Sequence, residues 1–534
     1  MSTLPEFKNE PLTDFSKPEN KAAMDLAIAR ILGEAGREHP IVIGGERITG
    51  LKTFSSNNPA HKDQILGKFQ KGGKEHVERA MDAAWAAFES WKRQPVETRA
   101  GLLFKTAKLL RERKHEFSAV MTLEVGKTWA EADGDTAEAI DFLEFYGREA
   151  LRYAGKHPVT QIESEENEVV YIPLGVGAVI PPWNFPLAIM AGMTTAAVAS
   201  GNTVVLKPSS DSPWIAYRFF ELLEEAGMPA GVVNFVSGGG GEVGDPLVQH
   251  PRIRFISFTG SKGVGLHIVE EAAKHREGQL WIKRVVAEMG GKDAIIIDRE
   301  TENLDEAAAA VVASAFGFQG QKCSACSRAI IDEAVYDRIV PMIVEKTKKL
   351  RMGDPADFAS AVGPVVNEKA MKSIKEYIDK GTKEGGRLVA GGNVDSKDGY
   401  FIEPTVIADV DPKATIAQEE IFGPVLAIIK AKDFDDALRI ANDSEFGLTG
   451  AVFTANEEKL ERAREEFFVG NLYLNRKCTG ALVGVHPFGG FNMSGTDSKA
   501  GGRDYLGLFL QGKSIARKKV KGAEPKTVED ATAF

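Results

Sequence analysis

Residues 169 to 210 decide the fold, and they read VVYIPLGVGAVIPPWNFPLAIMAGMTTAAVASGNTVVLKPSS. The apolar, β-branched run over 169–181 predicts a strand, and the small side chains over 188–200 predict a helix. Gly201 ends that helix, and residues 203–206 predict a second strand. A strand, a helix and a strand in this order form a parallel unit with a right-handed crossover.

The same alternation continues towards the carboxyl terminus. It predicts strands at 232–236, 254–258 and 284–287 and helices at 214–226 and 264–274. A second alternation begins near residue 293, with strands at 294–297, 327–331, 422–429 and 451–454 and helices at 304–315 and 433–442. Residues 73–153 are predicted to be helical, because apolar residues recur there every three or four positions. The pattern therefore predicts an α/β protein with two parallel sheets.

Two segments are predicted to lie outside these sheets. Residues 157–171 are polar with alternating valines, which predicts a hairpin, and residues 514–521 are basic and alternate weakly. Each segment is either a solvated edge strand or a strand that pairs with another edge or another subunit. The last dozen residues are predicted to be disordered.

Composition restricts the classes of function. The chain has 534 residues, 43% of them hydrophobic, and a formal net charge of −10. This acidic balance disfavours wholesale binding to nucleic acid or to an anionic membrane. The most apolar stretch, residues 187–200, is too short to span a bilayer. Three cysteines form no disulfide framework, which predicts a reducing compartment, with the cytoplasm as the default.

Two short segments offer the groups needed for acyl chemistry. Cys323 lies between Lys322 and Ser324, and Glu288 comes directly after a predicted strand. A thiol beside a positive charge has a lowered pKa, and a nearby carboxylate can act as a general base. The alternatives are a buried inert thiol, a reactive Cys326 in its place, and a salt-bridged surface glutamate. No metal site is predicted, because the second Cys-x-x-Cys and a neighbouring histidine are absent from the sequence.

Other residues near strand ends indicate an anion-binding site. Gly260 and Ser261 lie between a predicted strand and a predicted helix, whose first backbone N–H groups can bind a phosphate. The spacing matches neither a dinucleotide fingerprint nor a Walker A loop, so a plain turn is the alternative. Lys207 ends a strand and either reaches a ribose hydroxyl or a phosphate or lies in solvent. Asn184, held between two prolines, either donates its amide to an oxyanion or caps the following helix.

Together these motifs resemble the aldehyde dehydrogenase superfamily, over about residues 35 to 515. The segments that carry the resemblance are Pro182-Trp183-Asn184-Phe185-Pro186, Lys207-Pro208-Ser209, Phe258-Thr259-Gly260-Ser261, Glu288-Met289-Gly290-Gly291-Lys292, Gly320-Gln321-Lys322-Cys323, Glu420-Ile421-Phe422-Gly423-Pro424-Val425 and Pro487-Phe488-Gly489-Gly490-Phe491. Each motif alone is weak, but their joint occurrence in the family's order is specific.

The resemblance implies an α/β, aldehyde-dehydrogenase-like fold with three parts. Residues 1–153 and 174–290 are expected to form a Rossmann-like NAD(P)-binding domain, and residues 291–496 an α/β catalytic domain. Residues 154–173 and 497–534 are expected to form a small β oligomerisation flap and a tail. If these last segments pair as in relatives, the chain forms a homo-oligomer, a dimer or higher.

The resemblance also implies a mechanism. The Cys323 thiolate is expected to attack an aldehyde carbon, while the Asn184 amide and the Cys323 backbone N–H hold the oxyanion. Hydride then passes to the nicotinamide, and Glu288 activates the water that hydrolyses the thioester. The residues expected to bind the cofactor are Ile180, Trp183, Lys207, Ser210, Gly240, Gly244, Gly260, Ser261, Glu420 and Phe422.

Within that set, Lys207 is expected at the adenosine ribose and Glu420 at the nicotinamide ribose. Many NAD-preferring relatives carry a glutamate three residues after the ribose lysine, where this chain has Ser210. A carboxylate there would repel the 2′-phosphate of NADP, and a hydroxyl would not. We therefore expect NAD as the cofactor, with NADP accepted as well.

Residues 321–328 and 475–481 resemble the branch of the family that oxidises L-glutamate 5-semialdehyde to L-glutamate in proline breakdown. The residues implied to bind this substrate are Ser324, Gly480 and Ala481 at the α-carboxylate and Phe185 and Phe488 around its methylenes. A short anionic substrate needs convergent donors at one end and an apolar sleeve beside them. A proline dehydrogenase, which would supply the substrate, is then a candidate partner.

Two alternatives stay open. A dehydrogenase for another acidic semialdehyde, such as succinic semialdehyde, differs in the depth of the sleeve, which the sequence does not reveal. The other alternative is a non-catalytic structural or binding protein with the same fold, since fold does not guarantee function. The joint retention of Cys323, Glu288 and Asn184 argues against it. A CoA-acylating enzyme is disfavoured, because Glu288 suits the activation of water.

Overall fold

The structure is a computed structural model that describes residues 4–519. Its helices α1–α15 are, in chain order, Pro18–Gly33, Lys74–Trp91, Val96–Glu112, Lys114–Val125, Trp129–Tyr153, Ala188–Ala199, Pro213–Ala226, Asp245–Gln249, Lys262–Ala273, Leu304–Phe316, Glu333–Lys348, Glu368–Lys383, Thr415–Gln418, Phe434–Asn442 and Glu457–Glu466. None of the helices within these residues combines the length and the apolar character that a bilayer span requires.

The strands β1–β23 of the same residues follow in chain order. They are Arg37–His39, Ile41–Ile43, Glu46–Ile48, Thr53–Asn58, His61–Gln70, Glu165–Pro173, Val176–Ile180, Thr203–Leu206, Val233–Phe235, Phe255–Thr259, Arg284–Glu288, Ala294–Ile297, Arg328–Asp332, Arg387–Ala390, Val394–Asp395, Phe401–Ile402, Thr405–Ala408, Val425–Ala431, Phe446–Gly447, Thr449–Phe453, Asn471–Leu474, Phe491–Asn492 and Leu510–Lys518.

The first large sheet contains the strands predicted from residues 169 to 288. Its order is β11-β10-β7-β8-β9-β2-β3. The strands from β11 to β9 are parallel, and β2 and β3 are antiparallel additions at one edge. Gly177 of β7 lies beside Phe255 of β10. A Cβ on Gly177 would lie 2.0 Å from the Phe255 ring, so this close packing of the two strands requires a glycine.

The second large sheet has the order β14-β17-β18-β13-β12-β20-β21. It is parallel except for β14, which is antiparallel to β17. Ile296 and Ile330 pack into one hydrophobic core, and their neighbours Ile295 and Ile331 pack into another. Both faces of this sheet are therefore buried, which explains why its strands are continuous apolar runs.

The predicted alternation agrees with the structure, with differences of a few residues at the ends of elements. The largest difference lies in the run 169–181, which is predicted as one strand and forms two: β6 ends at Pro173 beside β23, and β7 begins at Val176 in the first large sheet. The chain turns between them at Gly175, whose φ is 138°. In the second sheet, β18 begins at Val425 rather than at residue 422. Phe422 has a positive φ of 56°, so the chain turns there before the strand begins. The short strands β1–β5 are not predicted, because most of them are too brief or too polar to show a periodic pattern.

Residues 157–171 do not form the predicted hairpin. β6 pairs antiparallel with β23, and His157 makes only an isolated bridge to Val169. The two segments predicted to be peripheral therefore pair with each other, as neighbouring edges that lack another partner can do. Residues 520 and 521 of the predicted basic strand, and the tail predicted to be disordered, lie outside the described residues. The proposed domain boundaries stay a prediction.

The candidate site lies where the two large sheets are joined. β11 of the first sheet ends at Glu288, and β12 of the second sheet begins at Ala294. Because strands of one parallel sheet end at the same edge, the carboxyl ends of β7, β8, β10 and β11 lie together. The amino ends of β12, β13 and β18 lie together in the same way. The short connection 289–293 brings these two edges next to each other.

Candidate active site

Cys323 follows a strained turn between α10 and β13. Gln319 and Gly320 have positive φ values of 55° and 66°. The Gln319 side-chain amide donates a hydrogen bond to the carbonyl oxygen of Gly126 at 2.9 Å. A Cβ on Gly320 would lie 2.3 Å from the carbonyl oxygen of Gly423, so the turn requires glycine there. A strained backbone of this kind persists only where surrounding contacts enforce it. The contacts with Gly126 and Gly423 enforce this turn, and the turn fixes the position of Cys323 ahead of β13.

The thiol of Cys323 is surrounded by acidic groups. Burial raises its pKa, and nearby carboxyl groups, first that of Asp293, raise it further. Lys322 does not lower it, since the Lys322 ammonium pairs with Glu131 at 2.7 Å. The expectation that Lys322 activates the thiol is therefore wrong, because neighbouring side chains of this turn point to different sides. The raised pKa favours the protonated thiol.

Asn184 follows β7 and is buried beside the nucleophile turn. Its Nδ2 donates a hydrogen bond to the carbonyl oxygen of Gln321, two positions before Cys323, at 3.1 Å. The alternative role as a helix cap is wrong, because the Ala188 N–H at the start of α6 donates instead to Asp135 Oδ1 at 2.6 Å. The second N–H of the Asn184 amide is thus available to an oxyanion.

Glu288 is the last residue of β11, and both of its carboxylate oxygens have partners. The Gly490 N–H donates to Oε2 at 3.1 Å, and the Ser498 hydroxyl donates to Oε1. These partners are a backbone amide and a hydroxyl, so the surface salt bridge is not supported. Burial raises the pKa of Glu288 to about 8, against the opposing effect of these hydrogen bonds. A carboxyl group with this pKa exchanges protons near neutral pH, as a general base must.

The residues predicted at the nicotinamide end come together. Glu420 Oε1 accepts a hydrogen bond from the Gly291 N–H at 3.0 Å, and a Cβ on Gly290 would lie 2.2 Å from Glu420 Oε2. The rings of Trp183 and Phe422 are nearly perpendicular, with centroids 5.5 Å apart. Burial raises the pKa of Glu420 to about 7. A carboxyl group beside two aromatic rings fits a ribose with its attached base.

The residues predicted at the adenosine end also come together. Lys207 follows β8 and is only 7% exposed, and its Nζ donates to the carbonyl oxygen of Pro208 at 3.0 Å. Burial lowers the pKa of Lys207 to about 8. A Cβ on Gly244 would lie 3.7 Å from Lys207 Cε, and Ile180 ends the adjacent strand β7. Ser210, three residues after Lys207, is exposed. With one N–H bonded to Pro208, the ammonium has two left for ligand hydroxyls.

Gly260 and Ser261 form the turn between β10 and α9. The Gly260 N–H donates to the Glu288 carbonyl oxygen at 3.1 Å, which fixes this turn to β11. Ser261 precedes α9, whose first regular hydrogen bond runs from the Gly265 N–H to the Ser261 carbonyl at 2.9 Å. A Cβ on Gly240 would meet nothing within 4 Å, so space lies open there. A helix start beside this opening fits the pyrophosphate of NAD(P).

The residues predicted to bind the substrate carboxylate lie on two segments that a hydrogen bond connects. The Cys478 thiol donates to the Ser324 carbonyl oxygen at 3.5 Å, which connects the nucleophile turn to the loop that follows Cys478. Gly480 has a positive φ of 82°. Within residues 4–519, nothing accepts a hydrogen bond from the backbone N–H of Gly480 or Ala481. These two N–H groups are therefore available donors for an anion.

Phe185 lies between β7 and α6, and Phe488 lies between β21 and β22. The Lys127 ammonium lies over the Phe185 ring, 3.9 Å from its centroid, and also pairs with Asp135 at 2.7 Å. Phe488 is half-buried and forms an isolated bridge with Ala500. Their role as the walls of an apolar sleeve stays a prediction.

Sequence reasoning misses the acidic face of α5. Glu131 binds Lys322, Asp135 binds Lys127, and burial raises the pKa of Glu138 to about 8. The three acids are spaced by four and three residues, which places them on one side of the helix. The spacing of these three acids along α5 is the signal in the sequence that places them together.

The geometry therefore combines a half-buried thiol, a carboxyl group with a raised pKa, an amide donor and a group of residues that fits a dinucleotide. The chain belongs to the aldehyde dehydrogenase family, whose sequence profile matches residues 48–515. The predicted fold class and enzyme class are confirmed by this match and by solved structures of the same fold.

Several similar proteins share one name, 1-pyrroline-5-carboxylate dehydrogenase. The protein of that name from Geobacillus sp. (strain WCH70) is 58% identical over 510 residues, which cover 96% of this chain and 99% of the relative. The Thermus enzyme of that name, solved with bound NAD, has a TM-score of 0.95 at 50% identity, over 97% of this chain and 100% of that chain. Proline utilization A (PutA) from Bdellovibrio bacteriovorus has a TM-score of 0.95 at 44% identity, over 98% of this chain and 55% of that chain. The predicted resemblance within the family is confirmed.

Proposed function

We propose that this chain oxidises L-glutamate 5-semialdehyde, the open form of 1-pyrroline-5-carboxylate, to L-glutamate with NAD or NADP. The observation that carries the proposal is the position of the Gly480 and Ala481 N–H donors. Their loop is connected to the Cys323 turn through the bond between Cys478 and Ser324. An aldehyde that carries a carboxylate can thus reach the thiol and the anion donors together. The names of the relatives and the NAD bound in the Thermus structure support the same substrate and cofactor.

The residues divide the chemistry between them. The Cys323 thiol releases its proton to solvent and its sulfur bonds to the aldehyde carbon, while Asn184 Nδ2 and the Cys323 N–H stabilise the negative charge that develops on the oxygen. When bound, the nicotinamide of NAD(P) accepts the hydride from that carbon, and a thioester remains on Cys323. Glu288 takes a proton from water, whose oxygen attacks the thioester and releases the carboxylic acid and the thiol.

The proposal predicts a substrate preference. With 1-pyrroline-5-carboxylate, kcat/KM for NADH formation should exceed that for succinic semialdehyde by at least about 10- to 200-fold, the effect of one missing carbon, since succinic semialdehyde lacks the carbon that bears the amino group. Propanal, which has no carboxylate, should be poorer still. Each aldehyde is assayed with NAD and with NADP, and NADP should be accepted because Ser210 carries no charge. A preference for succinic semialdehyde would overturn the substrate assignment, and no NADH from any aldehyde would indicate the non-catalytic alternative.

We also propose that the chain is a homo-oligomer of the cytoplasm. Within residues 4–519, β6 and β23 form a two-stranded sheet that belongs to neither large sheet, and a two-stranded pair is marginally stable alone. The apolar side chains of Leu280 and Ile282 are 84% and 88% exposed. Both observations are expected for surfaces that another copy covers. The three cysteines are free, as expected in a reducing compartment. A proline dehydrogenase remains the candidate partner.

Light scattering tests the oligomeric state. The chain has a mass of 57.9 kDa, so the measured mass should be at least twice that value. Replacement of Ile282 by aspartate, which charges the exposed loop, should shift the mass towards one chain. A mass of one chain for the unchanged protein at working concentrations would contradict the proposal.

A further inference from the structure

Before the first helix, residues 7–14 lie along α5 as an N-terminal arm. The Thr13 N–H and hydroxyl both donate to Asp133, the former at 2.7 Å. Further along the helix, Asp141 Oδ1 accepts from the Glu10 N–H at 2.6 Å, and Asp141 Oδ2 accepts from Asn9 Nδ2 at 2.8 Å. Both aspartates are buried, so their carboxylates need these donors. They are eight residues apart, about 12 Å along the helix, and the arm is attached over that length.

The same arm also contacts the loop formed by residues 480–486, which we name the substrate loop. Asn9 Nδ2 donates a second hydrogen bond, to the carbonyl oxygen of Val483, at 3.0 Å. The ring of Phe7 packs edge-on against Phe145, with centroids 5.2 Å apart. A Cβ on Gly484 would lie 3.1 Å from the Phe7 ring and 3.0 Å from the Phe145 ring. The arm therefore holds the loop through one polar and one apolar contact.

In the middle of the substrate loop, the Val483 side chain is 4% exposed and packs into the hydrophobic core. The side chains of Leu482 and Val485 are exposed, so they bury little apolar surface. The Gly484 N–H donates to the carbonyl oxygen of Gly501 at 2.9 Å. The His486 N–H bonds within the loop, to the Leu482 carbonyl oxygen at 2.8 Å. The arm thus supplies the hydrogen bond to the Val483 carbonyl oxygen and one of the two rings that lie against Gly484.

We propose that the N-terminal arm positions the substrate loop, so that Asn9 and Phe7 set the place of the Gly480 and Ala481 N–H donors. Val483 is two residues from Ala481, so a displacement of its carbonyl moves these donors directly. Asn9 and Phe7 touch neither the substrate nor the reacting atoms and act as positioning residues. The expected effect on binding of the substrate carboxylate rests on the proposed function. The expected effect on the position of the substrate loop does not.

Replacement of Asn9 by aspartate tests the arm with no change in side-chain size. The variant loses both donated hydrogen bonds and places a carboxylate against Asp141 and the Val483 carbonyl oxygen. The expected result is a rise in KM for 1-pyrroline-5-carboxylate of roughly 10-fold, the size expected for one weakened hydrogen bond to a charged group. The kcat, and the KM for propanal, should change by less than about twofold, because neither depends on the carboxylate donors.

The control is Asn20→Asp. Asn20 Nδ2 donates to the Asp14 carbonyl oxygen at 2.8 Å, in the same part of the chain but away from the substrate loop. This variant carries the same change of charge and should leave all kinetic constants unaltered. If Asn9→Asp lowered kcat/KM equally for 1-pyrroline-5-carboxylate and propanal, the arm would have a merely structural role and the proposal would be overturned. Unchanged constants in Asn9→Asp would overturn it as well.

Amide hydrogen exchange over residues 482–486 gives a readout that needs no substrate. Exchange should be faster in Asn9→Asp than in the unchanged protein and in Asn20→Asp, and an unchanged rate overturns the positioning role. If the unchanged protein shows no preference for an acidic aldehyde, the proposed function fails, and exchange still decides the role of the arm. Should Asn9→Asp fold poorly, Phe7→Leu weakens the apolar contact alone and must give the same faster exchange.

Discussion

Replacement of Cys323 by alanine should lower kcat/KM for aldehyde oxidation by about 10,000-fold or more, while the protein stays folded. The sulfur is the only group placed to bond covalently to the aldehyde carbon in the proposed mechanism, and loss of a nucleophile removes the covalent route entirely. Alanine leaves a small space beside a turn whose shape is set by Gln319 and Gly320, so the backbone should not move. NADH formation in the steady state and in a single turnover measures the effect.

Cys326→Ala is the matched control for this variant. Cys326 lies three positions further along the same segment, is 1% exposed, and directs its sulfur to the Arg328 carbonyl oxygen at 3.5 Å. Its loss should change kcat/KM by only a few-fold, and binding of NAD to both variants should match the unchanged protein. An inactive Cys326→Ala beside an active Cys323→Ala would reverse the assignment of the nucleophile.

Glu288→Gln should separate the two halves of the reaction. The first turnover should still release about one equivalent of NADH per active site, since Cys323 and Asn184 are unchanged. The steady-state rate should then be about 100- to 10,000-fold lower, the usual contribution of a general base. Glutamine keeps the size of the side chain and an oxygen to accept from the Gly490 N–H, so the site should keep its shape. Stopped-flow absorbance resolves the burst from the later rate.

The pH dependence of hydrolysis provides a second test of Glu288. Burial raises the pKa of this carboxyl to about 8, so below that pH most of the group is protonated and cannot accept a proton. The hydrolytic rate of the unchanged protein should therefore rise as the pH increases through about 8, and the residual rate of Glu288→Gln should lack this rise. Glu457→Gln, an exposed change on α15, is the control. Full turnover by Glu288→Gln would contradict the assigned role.

The candidate site was largely predictable because its residues lie next to elements that local patterns specify. Glu288 ends β11 and Asn184 follows β7, and the apolar runs before them predict both strands. Cys323 could be found from the surrounding small and polar residues together with the resemblance. The charged groups that surround Cys323 are not predictable in the same way. Lys322 is adjacent to Cys323 in sequence, yet it pairs with Glu131, 191 positions away.

The amino-acid sequence is sufficient to determine the α/β class and to propose a nucleophile, a base and an oxyanion donor, because periodicity and short motifs act over neighbouring residues. Three other features emerge only when the chain is folded: the pairing of β6 with β23, the raised pKa of the Cys323 thiol, and the contact of Asn9 with Val483, 474 positions away. Each depends on which distant segments share a buried space. Burial and the hydrogen bonds that offset its cost are properties of that packing, and no local pattern specifies them.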